Sequence, residues 1–151
     1  VKELIIENGF DQPILPNIIP LSVKSLTVSK LTHPLVVGSI PSSIVELTLN
    51  EEFDQTIDSA NLIIPNTIKK LTLFNHKVQI GIGVLPEGLE EIELKDGYSH
   101  PIPIGWFPSS VETLHVGNIK QPLVENLIPE TIQDLFLTEN FNQIFNHNII
   151  P

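Results

Sequence analysis

Ile40-Pro41-Ser42-Ser43-Ile44-Val45-Glu46-Leu47-Thr48-Leu49 and Phe107-Pro108-Ser109-Ser110-Val111-Glu112-Thr113-Leu114-His115-Val116 follow one pattern. An apolar residue precedes a proline, and aliphatic residues stand three, six and eight positions beyond it. Working outward, the junction recurs as Ile19-Pro20, Ile64-Pro65, Leu85-Pro86, Ile128-Pro129 and Ile150-Pro151. Successive prolines are thus 21, 24, 21, 22, 21 and 22 residues apart. A period of this size, held through all 151 residues, is the mark of a solenoid.

The two later columns, Leu26, Leu47, Leu71, Ile92, Leu114, Leu135 and Val28, Leu49, Leu73, Leu94, Val116, Leu137, differ by two residues, the side-chain period of a strand. Leu4 and Ile6 open the chain with the same pair. One short strand per unit is therefore expected, at Glu3–Glu7, Ser25–Ser29, Glu46–Asn50, Lys70–Phe74, Glu91–Lys95, Thr113–Gly117 and Asp134–Thr138. Alone, strands of this length do not persist in water; stacked, seven of them make a parallel sheet with one apolar face inward. The return segments contain Thr32-His33-Pro34 and Pro101-Ile102-Pro103. Interior proline costs a helix about 3 kcal/mol, so little helix is expected. The predicted fold is an all-β, leucine-rich-repeat-like solenoid of one repeat domain, residues 1–151. It should coil right-handed, because parallel crossovers do.

A second period lies within the first. Twelve residues past each proline stand Thr32, Phe53, Lys77, Tyr98, Lys120 and Phe141, with Phe10 in the same place of the opening unit. Aromatic and non-aromatic residues alternate, and the intervals of 21 hold the non-aromatic ones. Rings are therefore expected to fill the core in every other coil, with Thr32, Lys77 and Lys120 at the surface. Asp11 and Asp54, next to two of the rings, are expected to accept hydrogen bonds from the turn backbone.

The outward strand face is the candidate partner-binding surface, comprising Glu46, Thr48, Lys70, Thr72, Phe74, Glu91, Glu93, His115 and Phe136. Its threonines have a structural reading, since β-branched residues favour strands. Phe74 and Phe136 instead place aromatic rings where side chains point away from the core, beside acids, as binding anchors do. Solenoids tend to bind on this broad, preformed face.

Composition narrows the chemistry. Eight lysines, no arginine and 18 acidic residues give a net charge of −10, which disfavours nucleic acid as a partner and favours a basic protein. No apolar run has the length of a membrane span. With no cysteine, neither disulfides nor thiolate zinc sites are expected, a composition that fits an intracellular protein. His33, His76, His100, His115 and His147 fall in different columns without metal-ligand spacing. No triad, dyad or phosphate-loop pattern occurs; neither enzymatic activity nor a cofactor is expected.

Phe141-Asn142-Gln143 followed by Ile150-Pro151, with Phe53-Asp54-Gln55 and Phe10-Asp11-Gln12 as relatives, resembles the FNIP repeat family, named for its Phe-Asn and Ile-Pro pairs. The resemblance covers the whole chain. It implies a leucine-rich-repeat-like solenoid of protists and their giant viruses, often attached to F-box or kinase segments. It also implies protein recognition, including substrate recruitment to a ubiquitin ligase. The leading expectation is a protein-interaction solenoid that receives its partner on the sheet face. The alternative is a structural or spacer array with recognition carried elsewhere. Beginning at Val1 beside a strand and stopping on an Ile-Pro junction, the chain is expected to be part of a longer array. Leu4, Ile6, Ile149 and Ile150 are core-type residues near its ends, so the chain is expected either to self-associate end to end or to depend on neighbouring sequence for solubility.

Overall fold

The computed structural model describes residues 1–55, 57–58, 64–74, 79–145 and 147–151. Strands β1 (Glu3–Ile6), β2 (Ser25–Val28), β3 (Glu46–Leu49), β4 (Lys70–Leu73), β5 (Glu91–Leu94), β6 (Thr113–Val116) and β7 (Asp134–Leu137) form one parallel sheet, stacked in chain order. The described residues contain no helix. The pairing keeps the sequence columns in register, as in Leu47↔Leu71↔Ile92 and Leu49↔Leu73↔Leu94. Each strand ends one residue earlier than its pattern suggests. The fifth residue still donates its N–H to the preceding coil, as Asn50 does to Val28 O (3.1 Å) and Lys95 to Leu73 O (2.9 Å). The chain then turns away.

Three turns and the strand define a coil. In the first turn the proline carbonyl accepts the N–H three residues on, as in Pro41–Ile44 (3.1 Å) and Pro108–Val111 (3.2 Å). Proline stands here at a position whose N–H the turn does not use. The residue received is core: Val23, Ile44, Ile68, Leu89 and Val111 are all buried. Another turn lies just ahead of the Ile-Pro pair and needs a left-handed residue. Asn17, Gly38, Gly83, Gly105, Asn126 and Asn148, each three positions before the proline, have φ between 62° and 88°. Pro103-Ile104-Gly105-Trp106, closed by Trp106 N–H to Pro103 O at 3.0 Å, shows the form, with positive φ at the third residue as a type II turn requires.

The third turn, after the strand, explains the alternation. Phe53 and Tyr98 are fully enclosed as expected, whereas Phe141 is half-buried and Phe10 is 40% exposed in the terminal coils. Thr32 and Lys120 are exposed; Lys77 lies outside the described residues. The core places beside the rings are filled in the short coils by the preceding residues, Leu31 and Ile119. Phe10 bridges to Leu31 directly. Counted this way, the next core residue comes four positions later in four of the described coils: Leu31 to Leu35, Phe53 to Ile57, Tyr98 to Ile102, Ile119 to Leu123. The missing residue of the short coils is lost from the turn. Phe53 N–H reaches Asn50 O (3.0 Å) and Tyr98 N–H reaches Lys95 O (3.2 Å), but Ile119 N–H bonds Gly117 O only two residues back (2.9 Å). The wider corner makes room for a ring; the tighter one suits an aliphatic side chain.

The return segments have no strand ladder, and side-chain amides take its place. Gln121 accepts from Ile102 N–H (2.6 Å) and donates to Ile102 O (2.8 Å); Gln143 accepts from Leu123 N–H (2.9 Å) and donates to Gln121 O (2.7 Å). Gln55 accepts from Leu35 N–H at 3.3 Å. The glutamine of the Phe-Asn/Asp-Gln triplet thus bonds the backbone of the preceding coil. The aspartates do not do this work: Asp11 faces His33 Nε2 (3.5 Å) and Asp54 accepts from the Gln55 amide (3.4 Å). Asp11 is exposed and Asp54 half-buried, whereas the longer glutamine spans the gap to the backbone of the neighbouring coil. Trp106, buried in the same segment, donates Nε1–H to Ile80 O at 2.8 Å.

Candidate binding face

The period of two that buries Leu47, Leu71, Ile92 and Leu114 turns the residues between them outward, and the register sets Thr48, Thr72, Glu93, His115 and Phe136 side by side across β3 to β7. The structure gathers most of the expected face into two adjoining networks. Lys70 Nζ lies 2.7 Å from Glu91 Oε1, and His115 Nε2 is 3.3 Å from that same oxygen. Lys95 is paired with Glu93, and its ammonium stands 5.8 Å from the centre of the Phe74 ring. His115 and Phe136 stack at 4.5 Å with planes 11° apart. Phe136, at 51% exposure, is the open end of this stack. Glu46 is exposed and Thr48 half-buried at the edge of these networks.

Thr72 departs from its expected place as contact surface. It faces outward yet is only 7% exposed, and its hydroxyl lies 3.3 Å from Glu93 Oε2. It supports Glu93. Burial pushes the Glu93 carboxyl up, but the hydrogen bond and charge of Lys95, with Lys70 and Thr72, outweigh it and hold the group below the usual 4.5. The hydrogen bond to Glu91 raises Lys70 above its usual 10.5 against the desolvation that opposes it. The charges of the face are thus fixed and mutually oriented.

Past the C-terminal ends of the strands the face continues into a groove of about 400 Å³, whose walls include Glu51, Phe74, Lys95, Asp96, Glu139 and Asn140. Beside it, Gly117 admits the backbone of the fifth coil and the Asp96 carboxylate. A Cβ there would lie 2.5 Å from Asp96 Oδ1 and 2.6 Å from Asp96 N, so only glycine fits. Across the gap left by that glycine, Asp96 reaches two coils on. It accepts from Asn118 N–H (2.7 Å), the Asn140 amide (2.6 Å) and the Thr138 hydroxyl (3.2 Å). The Asn118 N–H, then Asn140, are the leading causes that depress its carboxyl below 3.8. Sequence reasoning passed over Asp96 and Gly117. The one signal was a glycine in a strand-end column where every other unit carries a side chain.

At the opposite ends of the strands, a second groove of about 510 Å³ holds charges that are already paired, Lys69 with Glu90 (2.7 Å) and Lys70 with Glu91. Among the described residues no cluster of His, Asp or Glu is arranged to hold a metal ion, and no helix is long and apolar enough to cross a membrane. His76 lies outside the described residues.

The FNIP Repeat family matches residues 32–73 and 98–140, more than half of the chain. Among solved structures, the chain is 28% identical to CroV588, described as a novel circular LRR protein structure, with a TM-score of 0.76. That likeness covers 97% of this chain and 22% of CroV588, so the chain spans about a fifth of that protein's length. No curated protein matches it significantly.

Proposed function

The chain belongs to the FNIP repeat family, and on that premise we propose that it is a protein-interaction solenoid whose outward sheet face receives a partner rich in lysine and arginine. The observation that carries this reading is the exposed Phe136 ring, backed by His115 on a rigid sheet whose neighbouring charges are already oriented. An aromatic anchor held in place loses little conformational freedom on binding. The net charge of −10 steers cations toward the molecule and repels nucleic acid. Recruitment of a substrate to a ubiquitin ligase, inside the cell, is the use to which the F-box companions of this family would put such a face. The spacer reading draws on the internally paired charges and on the seven coils matching about a fifth of a longer circular LRR chain. Photo-cross-linking separates the two. A benzophenone amino acid replaces Phe136 in one variant and Val37, on an exposed turn away from the sheet face, in another. A binding face yields a discrete adduct in extract from the source cells at position 136 and none at 37. Equal labelling at both positions, or none at either, favours the spacer.

A further inference from the structure

We propose that the groove beyond the strand ends binds an extended, doubly cationic peptide segment of the partner, about six residues long, with a lysine or arginine at each end. The inference rests on the sheet-face reading above and gives the partner's chemistry. The groove crosses from Glu51 in the third coil to Glu139 in the seventh. Four inter-strand steps of about 4.8 Å separate those coils, so the span is about 19 Å, the reach of roughly six extended residues. Glu51 and Glu139 are exposed at its two ends and enter no ion pair with the described residues. The middle is already occupied by a cation of the chain itself. The Lys95 ammonium sits on Glu93 and faces the Phe74 ring, the geometry of a cation–π contact. That seat marks the wall as one that accepts an ammonium, and it closes the centre to a second. With Glu93 paired to Lys95 and the Asp96 carboxylate met by three hydrogen-bond donors, the complementary charge order along a ligand is cation, neutral stretch, cation. Asp96, held by three donors across the bare Cα of Gly117, is fixed in the wall rather than free to fold over the groove. Charge complementarity of this kind fixes register as well as partner.

The test is an NMR titration of the ¹⁵N-labelled chain with acetyl-RGSTGR-amide. The controls are acetyl-RRGSTG-amide, with the same charge held together, and acetyl-EGSTGE-amide. The first peptide should shift the amides of Phe74, Lys95, Asp96 and Asn140. Its affinity should exceed that of the second at least tenfold and fall at least tenfold in the Glu51→Lys/Glu139→Lys variant, whose changed residues are both exposed. The third peptide should leave the spectrum unmoved. Equal binding of the two basic peptides, indifference to the double substitution, or no shift at all overturns the proposal. Shifts centred on Thr48, His115 and Phe136 that survive the substitution overturn it too, while leaving the sheet-face reading standing. Failure of that reading is seen separately, in the cross-linking pattern.

Discussion

Phe53 and Lys120 stand equally far from their prolines, yet one is enclosed by core and the other lies in water. Phe53→Ala removes a ring that the neighbouring coils cannot close over and should destabilise the chain by about 3–5 kcal/mol. Lys120→Ala should change stability by less than about 0.5 kcal/mol. Chemical denaturation of the two variants checks the contrast; similar losses would mean that the alternation has no packing basis. Glu93 gives the pH dependence. Its folded carboxyl titrates below its ordinary 4.5, so its contribution is complete above that value and is lost as pH falls through the lower folded one. Acid unfolding of Glu93→Gln should begin from lower stability and lose less than the parent as pH falls below 4.5; parallel curves would contradict this. The inward columns were legible because a period of two repeated at every proline leaves one assignment. The burial of Thr72 and the reach of Asp96 were not, because each depends on which side chain the adjacent coil happens to carry.

Turns are the element that decides how long a coil must be. Gly105 has φ of 82° and open space where a Cβ would go, so Gly105→Ala isolates the conformational cost of a left-handed residue, about 1–2 kcal/mol. Asn126→Gly, at the same place in its own coil with φ of 62°, should be neutral or slightly stabilising. Thermal unfolding that ranks these two the other way would exclude the left-handed turn. The Asn/Gly column was present in the sequence but stands upstream of the proline, where an alignment read downstream does not look. The same choice of origin set Thr32 and Lys120 opposite the rings. Counted back from Leu35 and Leu123, the core residues Leu31 and Ile119 fall into line, and the shortened turn becomes visible. The extra two residues of the longest unit fall between Ile57 and Ile64, seven apart where other coils have five, a stretch largely outside the described residues.

The whole molecule is a stack whose two ends are unlike its middle. Ile5 and Phe10 at one end, and Leu137, Phe145 and Ile150 at the other, are exposed, while Leu4 and Leu135 are only half-buried. Ile6 and Ile149 are buried, so the core reaches both terminal coils without being closed at either. We propose that isolated chains associate end to end, β7 of one against β1 of the next, because each presents an unpaired parallel edge beside apolar side chains. The charge of −10 opposes this contact, and salt screens that opposition. Light scattering should therefore show mass rising with both concentration and salt; a strictly monomeric chain under all conditions would mean that these ends do not pair. The proposed binding face runs from β3 to the terminal strand β7. Its decisive measurement is calorimetric binding of the cross-linked partner, once purified, to the parent chain and to Phe136→Asp and Val37→Asp. Because residues 136 and 37 are both exposed, neither change disturbs the core. A partner seated on the sheet face loses at least tenfold affinity for Phe136→Asp and none for Val37→Asp. Unchanged binding by Phe136→Asp, with loss confined to Val37→Asp, would place the interface on the turns and contradict the sheet face as the binding surface.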